Sequence, residues 1–149
     1  MTSFGPPATS ANGSDTGAAD RAGRAAGGGR PTRILIVEDE YLIALDVENR
    51  LLDAGFEVIG IAVTASEAIS MAVSGSPDLA IMDIRLADRT DGVQAAIELF
   101  AMLGVRSIFA SAHADDRTRE RAAAASPIGW LQKPYSAEAL INLIRQHLE

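Results

Sequence analysis

From Arg33 onward the chain alternates five short, mostly apolar runs with five segments whose apolar residues recur at helical spacing, and nothing else in the sequence restricts the fold as strongly. The runs are Ile34–Val37, Phe56–Ala62, Leu79–Met82, Ser107–Ala110 and Ile128–Leu131. Each is too short for a helix and lacks the strict alternation of a half-solvated strand, so each reads as a strand covered on both faces. Between the first two, Ile43, Val47, Leu51 and Ala54 share one helical face, broadened by Leu42, Leu45 and Leu52, and Gly55 supplies a C-terminal stop. Ala65, Ala68, Ile69, Ala72 and Val73 form the second helix, broken by Gly75 and Pro77. Val93, Ile97 and Phe100 mark a third ending near Gly104, Ala114–Ala125 a fourth, and Ser136–Leu148 a fifth with Leu140, Ile144 and Leu148 inward. Strands that each lead into a helix and return in the same direction make an α/β fold, a doubly wound five-stranded parallel sheet.

Before Arg33 the pattern is absent. Residues 1–32 contain no Leu, Ile or Val and are dominated by Gly, Ala, Ser, Thr and Pro, so they are expected to form a disordered tail, leaving residues 33–149 as one domain. The tail carries three Arg against Asp15 and Asp20, so the acidic excess of the chain, −7 overall, belongs to the folded part. An acidic domain argues against direct nucleic-acid binding. The chain has no Cys, and its two His residues, His113 and His147, lie far apart, which excludes thiolate metal sites and disfavours a His-based one. No apolar run approaches the roughly 20 residues that span a bilayer, and the expectation is a soluble cytoplasmic protein.

In a parallel sheet every strand ends at the same edge, where open α/β folds bind ligands. In chain order that edge carries Glu38 and Asp39, then Asp83, then Ser111, then Lys133. Taken alone, Asp83 is more simply an N-cap for the next segment than a reactive group; its neighbours on the edge reverse that reading. Glu38, Asp39 and Asp83 are hard oxygen donors suited to a hydrated divalent cation such as Mg²⁺. One of them could attack phosphorus to form an acyl phosphate, with the cation, the Lys133 ammonium and the Ser111 hydroxyl neutralising the phosphoryl oxygens. Asp83 is the best nucleophile, because it stands alone on the central loop and the acidic pair can hold the metal. Lys133 is the only lysine among 13 basic residues, as a site needing a compact point charge would require, and it precedes Pro134, where a cis bond is accessible.

The motifs ILIVEDE, IMDIRL, FASAHADD and LQKPY, in that order and spacing, resemble the receiver domain of two-component response regulators across about residues 32 to 149. The resemblance implies a flavodoxin-like fold with strand order 2-1-3-4-5. It implies Asp83 as phosphoacceptor, Glu38 and Asp39 as the acidic pair for Mg²⁺, the backbone carbonyl of Arg85 as a further metal ligand, Ser111 as the switch hydroxyl and Lys133 as the phosphate contact. The aromatic switch partner falls on Trp130, where the family usually carries Tyr or Phe. Arg85 and His113 occupy positions that tune the lifetime of the phosphoryl group in this family. The implied phosphodonors are a histidine kinase, a phosphotransfer protein or a small acyl phosphate.

No output domain follows the last helix in the sequence, so the expectation is a stand-alone receiver that binds a downstream protein when phosphorylated, with the alternative of a phosphate shuttle or sink serving a phosphotransfer histidine. An aspartate-nucleophile hydrolase of the haloacid dehalogenase type needs a second acid two residues after the nucleophile, where this chain has Arg85. The fourth helix offers only alanines to the core and is expected to move at low cost. Phosphorylation would then reposition it through Ser111 and expose a partner or dimer surface made by that helix, the fifth strand and the last helix.

Overall fold

The computed structural model describes residues 29–87 and 91–148. The expected tail lies outside the described residues as far as position 28. Five strands, β1 (Arg33–Val37), β2 (Glu57–Ala62), β3 (Leu79–Asp83), β4 (Arg106–Ser111) and β5 (Gly129–Gln132), alternate with α1 (Tyr41–Asp53), α2 (Ala65–Gly75), α3 (Gly92–Leu103), α4 (Asp116–Ala122) and α5 (Ala137–Leu148). The sheet is parallel throughout, in the order β2-β1-β3-β4-β5. The direction of winding reverses between β1 and β3, so helices cover opposite faces and a crevice opens at the C-terminal ends of those two strands.

Successive side chains on a strand point to opposite faces, and this divides the core in two. Ile34, Ile36, Leu79, Ile81 and Ile108 pack with Val47 and Leu51 of α1 and with Leu140 and Ile144 of α5. Leu35, Val37, Ala80, Met82 and Phe109 face the other way, against Ala68 and Ala72 of α2, Val93, Ala96 and Leu99 of α3, and Ala122. The first face is filled by branched side chains worth about 1.5–3 kcal/mol each when buried; the helical contribution to the second is largely alanine, worth far less per residue.

Four of the five α-helices, all but α1, begin where short polar side chains satisfy free N–H groups. Thr64 Oγ1 accepts from Glu67 N at 3.1 Å while Glu67 Oε1 accepts from Val63 N at 2.9 Å, a reciprocal cap on α2. Asp91, Asp115 and Ser136 cap α3, α4 and α5. Asp115 sets the start of α4 at Asp116, two residues later than the expected Ala114, and the last residues of the expected helix, Ala123–Ala125, form a 3₁₀ turn.

Four apolar residues expected on buried faces, Leu42, Ile43, Leu52 and Val73, are exposed. The buried face of α1 is Ala44, Val47 and Leu51, whereas Leu42 is 81% exposed and Ile43 39%. Its first turn is apolar nearly all round, so the sequence leaves its rotation open, and the seat against β1 and α5 selects it. Val73 of α2 is likewise exposed.

The described chain is tied to the sheet before Arg33. The Arg30 guanidinium donates to both carboxylate oxygens of Asp78 at 2.8 Å, Asp78 also accepts from Arg33 N at 2.8 Å, and Thr32 is buried. These contacts, led by the Arg30 hydrogen bond, hold the Asp78 carboxyl below its ordinary value. A depressed carboxyl stabilises the fold above its unfolded value, near 4, and loses that contribution as the pH falls through the folded value. Arg30→Ala is therefore expected to lower the melting temperature at pH 7, with the gap from the unsubstituted chain closing as the pH is brought from about 4 toward 2. Melts at both pH values check this, and a gap that stays constant would show that the pair does not act through the Asp78 charge.

Candidate functional site

Glu38 and Asp83 reach the crevice because each stands where a parallel strand leaves the core. Glu38 N donates to Ala62 O at 2.9 Å, extending the β1 ladder by one residue and keeping Glu38 only 4% exposed. Asp83 is the last residue of β3 and is also buried, while Asp39 is exposed at the rim. One carboxylate oxygen from each of Glu38, Asp39 and Asp83 lies within 4.8 Å of the other two.

Lys133, just beyond β5, supplies the counter-charge. Its backbone N donates to Ser111 O at 2.8 Å, and the peptide bond to Pro134 is cis. Its Nζ lies 2.9 Å from Glu38 Oε1 and 3.2 Å from Asp83 Oδ2. The remaining oxygens are satisfied locally: Glu38 Oε2 accepts from Glu40 N at 3.1 Å and Asp83 Oδ1 from Arg85 N at 3.2 Å.

These contacts act unequally on the two partners. Burial pushes the Glu38 carboxyl above its ordinary value, helped by the neighbouring Asp83 and opposed by the Lys133 and Glu40 hydrogen bonds. Burial pulls the Lys133 ammonium down, but Glu38 and Asp83 together outweigh it and hold the group above its ordinary value. The ammonium answers to two anions, whereas Glu38 gains one cation and one competing anion, so the same ion pair raises the lysine without depressing the acid. The nearby Tyr135 phenol is pushed up to about 12, chiefly by burial and then by Glu38, and is a neutral wall.

The crevice above Asp83 has a volume of about 550 Å³ and is lined by Asp39, Arg85, Ser111, His113 and Lys133 among others. Ser111 is the last residue of β4, and its Oγ accepts from His113 N at 3.1 Å. The structure thus brings together Glu38, Asp39, Asp83, Arg85, Ser111 and Lys133. Trp130 lies outside this crevice but lines a smaller neighbouring cavity of about 220 Å³ together with Ser111 and His113. It stacks on Phe109 with centroids 4.7 Å apart and rings inclined by 28°, and the Arg119 guanidinium of α4 lies 4.5 Å from its centre.

Sequence reasoning missed Arg119, whose partner Trp130 lies on the following strand, and Asp91–Gly92. An acid and a glycine directly before an apolar helical pattern were a readable cap signal. Gly92 also has a packing reason: a Cβ there would collide with the carbonyl oxygen of Asp83.

The clustered donors are three carboxylates, with no thiolate or imidazole among them, and such a set fits a hard divalent cation. Among the described residues no helix is long and apolar enough to cross a membrane.

Residues 34–145 match the model of the response regulator receiver domain. The transcriptional regulatory protein PdtaR of Mycobacterium tuberculosis is 37% identical over 114 residues, covering 76% of this chain and 55% of PdtaR. The phyllosphere-induced regulator PhyR of Methylorubrum extorquens is 38% identical over 131 residues, covering 87% of this chain and 48% of PhyR. The chain thus spans about half the length of these curated relatives. Among solved structures, the signal receiver domain of a modulated diguanylate cyclase from Desulfovibrio desulfuricans superposes with a TM-score of 0.72 at 34% identity, covering 78% of this chain and 92% of that one. With the observed strand order and the acidic crevice, these matches establish that the chain belongs to the receiver domains of two-component response regulators.

Proposed function

We propose that Asp83 accepts a phosphoryl group from a phosphohistidine and that the resulting acyl phosphate switches a protein-binding surface. The observation that carries this reading is the sharing of one ammonium, Lys133 Nζ, by Glu38 and Asp83, with Asp39 in reach of both. In the reaction an Asp83 carboxylate oxygen forms a bond to phosphorus as the phosphorus–nitrogen bond of the donor breaks, and the imidazole leaves with the electron pair and takes up a proton. Lys133 stays close enough to donate to a phosphoryl oxygen, and the Ser111 hydroxyl faces the same crevice. Glu38, Asp39, Asp83 and the Arg85 carbonyl would hold Mg²⁺, which supplies positive charge against the phosphoryl oxygens when bound.

A protein donor is supported by the ground next to the crevice. A groove of about 640 Å³ runs between α1 and the β5–α5 turn, walled by Leu42, Ile43, Pro134 and Tyr135, and it shares Lys133 and Ala112 with the crevice. Exposed apolar residues beside a reactive carboxylate suit a partner that must set its donor atom down on Asp83. The downstream surface is assigned to α4, β5 and α5, because α4 is anchored by little apolar area and reaches the crevice through Ser111 and the turn after it.

Incubation with acetyl phosphate followed by intact mass measurement tests the acceptor chemistry. A Mg²⁺-dependent gain of one phosphoryl group that disappears in Asp83→Asn is the expected result. A gain that survives this substitution would place the acceptor elsewhere. A second expectation concerns the ion pairs. Lys133→Met leaves two buried carboxylates without their cation and should cost about 3 kcal/mol of stability in metal-free urea unfolding. Mg²⁺ should then raise the melting temperature of the variant more than that of the unsubstituted chain, because a cation on the same carboxylates replaces the lost charge. Equal Mg²⁺ shifts in the two proteins would show that the ion does not use these oxygens.

A further inference from the structure

α4 gives the core little to hold: its buried side chain is Ala122, followed by Ala125 in the 3₁₀ turn. Its lateral placement rests on two arginines. Arg119 lies over Trp130, and Arg121 Nη2 meets Asp91 Oδ2 at 2.7 Å. Exposed ion pairs add little to stability by themselves, so the consequence of this one depends on what Asp91 is attached to.

Asp91 joins α3 and α4 through its side chain and the Asp83 loop through its backbone. Its second oxygen, Oδ1, accepts from Val93 N at 2.8 Å and caps α3. Its backbone forms an antiparallel bridge with Arg85, two residues beyond Asp83. The following residue, Gly92, donates its N–H to Ile84 O at 2.8 Å and packs so closely that a side chain there would strike the Asp83 carbonyl. A displacement of Asp91 is therefore passed to the backbone around Asp83. Burial pushes the Asp91 carboxyl up, but Arg121 and the Val93 N–H outweigh it and hold the group below the usual range, as expected of a charge engaged on both sides.

From this juxtaposition we propose that Asp91 is a positioning residue for Asp83, and that its ion pair with Arg121 links the Asp83 loop to α4 by a route separate from Ser111. The proposal rests on the reading of Asp83 as part of a Mg²⁺ and phosphoryl site. A ligand that draws Asp83 and Arg85 into one geometry then favours one placement of α4, and by linkage the placement of α4 alters the affinity of the crevice. Trp130, the only tryptophan, reports on α4 because Arg119 covers it.

The test is Mg²⁺ titration by calorimetry of the unsubstituted chain, Arg121→Gln, Asp91→Asn and the double variant, with Trp130 emission followed in parallel and melts to establish folding. Asn at position 91 retains the α3 cap while removing the charge. Both single variants are expected to shift the Mg²⁺ dissociation constant in the same direction by about threefold. The double variant should shift it no further, and the emission response to Mg²⁺ seen in the unsubstituted chain should be lost in Arg121→Gln. Lower melting temperatures with unchanged Mg²⁺ affinity, opposite shifts, single effects that add in the double variant, or an emission response that is absent from the outset or persists in Arg121→Gln overturn the link and leave the reading of Asp83 standing. A chain that binds no Mg²⁺ at all overturns that reading and the link together.

Discussion

One ammonium group ties together the ends of strands that are not all neighbours. Lys133 follows β5 at the edge of the sheet, yet its Nζ reaches Glu38 after β1 and Asp83 at the end of β3. At these separations each attraction is of the order of 4 kcal/mol in a partly screened environment, and removing each charge from water costs several kcal/mol in return. The two effects are of similar size. With Glu38, Asp39, Glu40 and Asp83 set against Lys133 and Arg85, the crevice keeps net negative charge, which suits a divalent cation.

The two faces of the sheet are anchored differently. On the side of α1 and α5, branched residues from strands and helices interlock, so that face is costly to disturb. On the other side α2, α3 and the end of α4 present mostly alanine, and α4 is placed by Arg119 on Trp130 and Arg121 on Asp91. The helix with the least apolar anchoring, α4, thus sits on the alanine-rich face. Trp130, held between Phe109 and Arg119, belongs to the anchoring of α4 as much as to the sheet.

Much of this was legible before any coordinates. Mostly apolar runs without strict alternation leave no solvent-facing side for a strand, which points to a parallel sheet with two covered faces; parallel strands end together, which gathers Glu38, Asp39, Asp83, Ser111 and Lys133. Those inferences depend on period and order along the chain, and the sequence contains both. The rotation of α1 was not legible, because Tyr41, Leu42, Ile43 and Ala44 offer an apolar surface in almost every direction and only the neighbouring elements choose among them.

The sequence by itself determined the fold class, the strand edge and the identity of the groups that meet there, since each follows from spacing and from the chemistry of single residues. Tertiary structure alone decided which oxygen shares Lys133, that Arg30 closes on Asp78, that Arg119 covers Trp130, and that Asp91 joins α3, α4 and the Asp83 loop. Those contacts join residues far apart in the chain through flexible side chains or exposed positions. Their partners are set by the distances between packed elements, a quantity that no local pattern encodes.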